Sequence, residues 1–139
     1  MKTFTPILLI TLLISGCGNE DKNAQNELLQ KVMDVHDEIM PKMGDIMKYK
    51  KQLNAKISEL TETAAEENDA QIETLKEAVE DLENSHEEMM NWMHGFDRNF
   101  EGEVQEEVMA YLKDQMTKIE SVGNTTNTAL KNARELLTE

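Results

Sequence analysis

Seven of the ten methionines in this 139-residue chain fall in two short windows, and each window holds a histidine. The first carries Met33, Met40, Met43 and Met47 with His36; the second carries Met89, Met90 and Met93 with His86. His36-x-x-x-Met40 and His86-x-x-x-Met90 repeat one spacing, and residues four apart share a helix face. Thioether and imidazole together suit a soft ion, reduced copper above all, and suit magnesium or calcium poorly. If the two windows lie on helices that fold back on each other near residue 65, facing residues have numbers adding to about 130. Met40 then stands opposite Met90, Met43 near His86, and His36 near Met90 and His94. Both histidines and several thioethers fall within two helical turns, roughly 10 Å. The spacing therefore nominates His36, Met40, His86 and Met90 as copper(I) ligands, with Met43, Met89, Met93 and His94 as substitutes.

The same residues have a plainer reading. A methionine stripe at helical spacing fills irregular core space, here beside a proline. A histidine on an apolar face is commonly a core residue bonded to a carboxylate such as Glu83 or Glu87, or to a backbone carbonyl. Other chemistry fits less well. A di-iron site needs two Glu-x-x-His units, and Glu83-x-x-His86 is the one present. Met33 and His94 could ligate a haem, but three helices leave little room for the macrocycle. No nucleophile-base arrangement or phosphate loop is recognisable, which argues against an enzyme. With 4% aromatic residues, a large aromatic-lined catalytic pocket is not expected either.

The elements that must position these side chains are helices. Leu29, Val32, His36, Ile39, Met43, Ile46, Lys50, Leu53, Ile57 and Leu60 recur at alternating steps of three and four, broken in kind only by His36 and Lys50. Pro41 removes one backbone hydrogen bond inside this run and should bend it. A turn is expected between Thr61 and Asp69, with Asn68 or Asp69 as N-cap. Ile72, Leu75, Val79, Leu82, His86, Met89, Met93 and Phe96 form a second seam, closed by Gly95 and Gly102. Val104, Val108, Tyr111, Leu112, Gln115, Ile119, Val122, Thr126, Leu130, Ala133 and Leu137 form a third, in which Gly123-Asn124-Thr125-Thr126 suggests a bend. No alternating strand pattern is present. The expected fold is all-α, a small up-down-up three-helix bundle with long antiparallel helices at about 24–62, 69–96 and 103–137.

The N-terminus reads as an address. Ile7–Ile14 is an apolar run too short to span a bilayer and right for the core of a signal peptide. It leads into Leu13-Ile14-Ser15-Gly16-Cys17, which resembles a bacterial lipobox. That resemblance implies cleavage after Gly16 (a signal peptide of residues 1–16), acylation of Cys17 with groups such as palmitate, and residues 17–23 as a lipidated tether. Two or more acyl chains anchor stably where one does not. Residue 18 is Gly rather than Asp, so the common inner-membrane retention signal is missing, and Glu20-Asp21 resembles the surface-export signals of Bacteroidota lipoproteins. The expected location is the cell envelope, as an outer-membrane lipoprotein facing the periplasm or the cell surface, a compartment where copper is a real demand.

Charge narrows the partners. The chain has 28 acidic and 14 basic residues. Cleavage removes Lys2 and no acid, so 13 basic residues face 28 acidic ones and the net charge becomes −15. Such a body cannot neutralise a row of phosphates, which excludes nucleic acid, and anionic headgroups repel it, so the membrane is held through lipid alone. The single Cys excludes an intramolecular disulfide and a cysteine-based zinc site.

Val32-Met33-Asp34-Val35-His36-Asp37-Glu38-Ile39-Met40-Pro41-Lys42-Met43, His86-Glu87-Glu88-Met89-Met90-Asn91-Trp92-Met93 and Val108-Met109-Ala110-Tyr111-Leu112 resemble a group of small helical Bacteroidota lipoproteins of uncharacterised function, which often carry the label "viral A-type inclusion protein". The likeness covers nearly the whole mature chain. It implies a helical envelope lipoprotein and carries over no functional residue; it also leads one to expect a basic residue where this chain has His94. The reading is a non-enzymatic binding or structural protein, with an envelope protein partner or self-association through coiled-coil faces. The alternative is a copper(I)-binding lipoprotein.

Overall fold

A computed structural model describes residues 18–63 and 68–138. The expected signal peptide and Cys17 lie outside the described residues. The described residues form four helices: α1 (Gly18–Ile39), α2 (Lys42–Glu62), α3 (Asp69–Gly95) and α4 (Gln105–Thr138). α1 and α2 form one arm with a single break, so the architecture is a three-helix, all-α bundle in up-down-up order. None of the described helices is long and apolar enough to cross a membrane.

The break falls where Pro41 stands. Its nitrogen has no hydrogen to give the Asp37 carbonyl, and the chain passes the gap with tighter bonds, Met43 N–H to Met40 O at 3.1 Å and Gly44 N–H to Pro41 O at 3.4 Å. Helix resumes at Lys42. At the far end of α2, the Asn68 amide donates to Leu60 O at 3.2 Å and Thr63 Oγ1 at 2.9 Å. Asn68 is the N-cap residue of α3 but its side chain makes no cap bond there. It satisfies the carbonyl end of the preceding helix instead.

Two ladders of long-range bonds fix the register. α4 runs parallel to the α1–α2 arm: Gln105 bonds Asp21 O, Lys42 bonds Asn127 and Lys56 bonds Leu136 O, at sequence separations of 84, 85 and 80. α3 runs antiparallel to that arm, with His36 against Met93 and Lys50 against Glu83. α4 packs along α1, α2 and α3. The arm from residue 18 to 62 is about 68 Å long at 1.5 Å per residue, and α3 about 40 Å. The shorter α3 stops well before the Gly18 end, and residues 96–104 lead on to the start of α4. Gly95 ends the helix, Phe96 is extended, and Gly102 at φ +83° occupies the third position of a Phe100–Glu103 turn, a conformation that favours glycine.

Three sequence expectations change. Residues 18–23 were expected to be tether, yet they belong to α1. Glu20 and Asp21 sit in its first turn, where acids favour a helix start, and the Gln105 amide holds the Asp21 carbonyl at 2.8 Å. The bend expected near Gly123 is absent, and α4 is continuous through it. Gly123 is buried, and a Cβ there would stand 2.8 Å from Ile39 Cδ1. This glycine lets α1 approach α4. The neighbouring Thr125 and Thr128 hydroxyls bond the carbonyls of Ser121 and Asn124 one turn back, which keeps them within the helix. Finally, the buried line of α3 is Leu75, Ala78, Leu82, Ser85, Met89 and Trp92, one position N-terminal to the bulky seam at Val79, His86 and Met93. As the middle helix, α3 faces both α2 and α4, so its buried arc is wide and its centre takes small residues.

Gly123 gives a direct test of close approach. In Gly123→Ala the end of Ile39 can rotate away, and the helix gains about 1 kcal/mol of propensity, so stability should stay within about 1 kcal/mol of the parent. Gly123→Leu cannot be absorbed this way and should cost about 1–3 kcal/mol by overpacking. Urea unfolding midpoints of the two variants measure the difference.

Candidate functional site

The half-buried faces of α1 and α3 meet at His36. Its side chain is 16% exposed, and Nδ1 lies 2.8 Å from Asp37 Oδ1. A carboxylate only accepts, so Nδ1 carries the hydrogen and donates it. Nε2 points the other way, to Met93 Sδ at 3.4 Å. The imidazole ring lies against Trp92, with centroids 5.7 Å apart and planes 30° apart. Met40, one turn on from His36, and Met90, one turn back from Met93, are both half-buried. Continued for one turn past the His36–Met93 contact, the antiparallel register brings Met40 and Met90 to about the same level of the bundle.

His86 belongs to a different level. It lies seven residues from Met93, about 10 Å along α3. It lines a small cleft with Ile46, Met47, Lys50, Glu83 and Glu87. Glu83, nominated as its carboxylate partner, is instead 2.6 Å from the Lys50 ammonium. That ion pair explains how a lysine occupies a seam position of α2. Among the other nominated residues, Met43 and Met89 are buried in the core, Met89 completely, and His94 is exposed. The structure thus brings His36 to Met93 and keeps His86 two helical turns away. Among the described residues, no group of three or more His, Cys, Asp or Glu is placed to hold a metal ion.

Sequence reasoning placed Phe96 at the end of the second seam and missed the aromatic ladder to which it and Trp92 belong. Trp92 stacks on Phe96 at 4.7 Å, Phe96 on Tyr111 at 6.2 Å, and Phe100 meets Tyr111 edge-on at 5.9 Å. The Tyr111 hydroxyl accepts from Asp97 N–H at 2.7 Å. Two Asx turns follow, Asn99 N–H to Asp97 Oδ1 and Glu101 N–H to Asn99 Oδ1. The aromatic ladder thereby fixes the α3–α4 connection and borders a cleft of about 270 Å³ lined by Phe100, Tyr111, Val108 and acidic side chains. The available signal was the spacing of 92, 96 and 100, one aromatic per helical turn carried past the glycine stop. The Trp92 Nε1 is buried and meets no acceptor among the described residues.

Comparisons with protein-family models, with curated proteins and with solved structures found no match.

Proposed function

We propose that the chain is a lipid-anchored, non-enzymatic bundle of the cell envelope, tethered through acylated Cys17 and acting by binding or by structural spacing. The observation that supports this reading most is the lipobox-like Leu13–Cys17, next to which the described residues are helical from Gly18, with one break, to Glu62. A helix that starts beside its anchor carries the opposite end of the bundle tens of ångströms away, about 68 Å for a 45-residue arm held upright. The acid excess favours that posture, because an acidic rod is repelled from an anionic surface. The turn between α2 and α3 and the end of α4 then form the distal tip.

The test is made on the full chain in a bacterial host. Wild-type protein should take up labelled palmitate and sediment with membranes. Cys17→Ser should lose the label entirely and appear in the soluble fraction. Label that survives the substitution would overturn the lipid-anchor reading. Sedimentation of the detergent-solubilised protein separates a monomer that binds another envelope protein from a chain that pairs with itself.

A further inference from the structure

We propose that His36 and Met93 form the primary pair of a binding site for one reduced copper ion, completed by the thioethers of Met40 and Met90 and walled by Trp92. The site differs from the four-residue set suggested by spacing alone, because His86 is excluded and Met93 takes its place. It does not rest on the lipid anchor.

The argument starts from the imidazole. Donation of Nδ1–H to Asp37 leaves the neutral ring with a bare lone pair on Nε2. That lone pair faces Met93 Sδ, itself only a weak acceptor. Two donors with no hydrogen between them gain nothing from each other, and a cation that accepts from both resolves the contact. The separation suits one. With bonds of about 2.0 Å to nitrogen and 2.3 Å to sulfur, as at tetrahedral d10 ions, donors 3.4 Å apart subtend about 104°, close to the tetrahedral angle. Imidazole with thioether selects copper(I) among the common ions.

The surroundings fit the same ion. A carboxylate holding the remote ring nitrogen of a histidine is the usual arrangement at metal ligands; it fixes the tautomer and the orientation of the ring. Asp37 does this here. Met40, in the turn just past the end of α1, and Met90, on α3, lie about one helical turn along the chain from His36 and Met93, and an unbranched thioether can swing toward an ion. Met40 sits in the turn before Pro41, its backbone held by its N–H to His36 O at 2.9 Å and by Met43 N–H to its own carbonyl at 3.1 Å, so that only its side chain need move. The indole face of Trp92 beside the ring offers a cation–π surface and keeps water off one side.

The experiment uses the full-length protein in detergent. Copper(I) is supplied anaerobically against a chromophoric copper(I) chelator, and Trp92, the one tryptophan of the chain, reports from within the site. The expected result is one ion per chain with quenching of the tryptophan emission. Met93→Leu conserves volume and should fold, costing under about 1.5 kcal/mol by its packing change. It should weaken copper(I) binding by at least about tenfold, as should His36→Ala, and Asp37→Asn should weaken it by about 10-fold through the ring orientation. His86→Ala should bind as the parent does. Far-ultraviolet circular dichroism confirms that each variant is folded. The proposal is overturned if Met93→Leu binds copper(I) as tightly as the parent, if His86→Ala abolishes binding, or if the tryptophan emission is unmoved at saturation.

Discussion

Trp92→Ala is expected to lower the melting temperature by roughly 10–20 °C, from a loss of about 3–5 kcal/mol at roughly 4 °C per kcal/mol for a chain of this size. Trp92 is 7% exposed and occupies the last full turn of α3. Its indole meets both the His36 ring on α1 and the Phe96 ring that begins the connection to α4. Deleting the indole leaves a void that Phe96 cannot fill without leaving Tyr111. Part of the loss is offset, because the buried Nε1–H, which has no acceptor among the described residues, disappears with it. Trp92→Phe separates the two contributions. It keeps a ring for stacking and removes the N–H, so it should retain more than half of the stability that Trp92→Ala loses. Tyr111→Phe removes only the bond from Asp97 N–H and should cost about 0.5–1.5 kcal/mol. Thermal unfolding followed by circular dichroism reads all three. A Trp92→Ala shift no larger than that of Tyr111→Phe would show that the ladder is ornament on an already stable helix end.

The helical fold was legible because its signals are local. A three-four recurrence of Leu, Ile, Val and Met, stopped by Pro41, Gly95 and Gly102, places each helix and its breaks within a few residues. The register was legible too. A turn near residue 65 forces partner numbers to add to about 130, and His36 meets Met93 within one residue of that line. What failed was nonlocal. Gly18–Asn23 sets an acid pair suited to a helix start among Gly and Asn of low propensity, and the Gln105 bond to the Asp21 carbonyl adds a nonlocal hold there. Gly123 reads identically as a breaker and as a close-approach residue until Ile39 is seen against it. Ser85 and Ala78 are invisible to a pattern built on bulky side chains, although they occupy the buried centre of α3. The two matching His-x-x-x-Met units carry no information on level: His36 meets Met93, and His86 lies seven residues, about 10 Å, further along α3.

Leu82→Ala should cost about 2–5 kcal/mol, whereas Glu83→Gln, one residue along, should cost under about 1 kcal/mol. The contrast separates what holds the bundle from what decorates it. Leu82 is fully buried on the middle helix, in a core shared with Ile46 and Leu53 of α2 and Ile119 and Val122 of α4. α3 packs on both α2 and α4, so a cavity at its centre weakens two interfaces at once. α3 cannot close it by sliding one turn, because that shift would pull Met93 away from His36 of α1 and Asp97 N–H away from the Tyr111 hydroxyl of α4. Glu83 makes a 2.6 Å ion pair with Lys50, but the two side chains are 48% and 31% exposed. Water and salt screen that pair, and ordering two long side chains cancels much of its attraction. Its role is to let a lysine stem lie on the apolar seam while the ammonium is satisfied at the edge. The measurement is the urea midpoint of each variant at low and physiological salt. Leu82→Ala should lose the same stability at both. The small Glu83→Gln effect should shrink as salt rises, since it is electrostatic in origin. Equal losses for the two variants would mean that the bundle is held by its charged edges, and the core assignment of α3 would fall with that result.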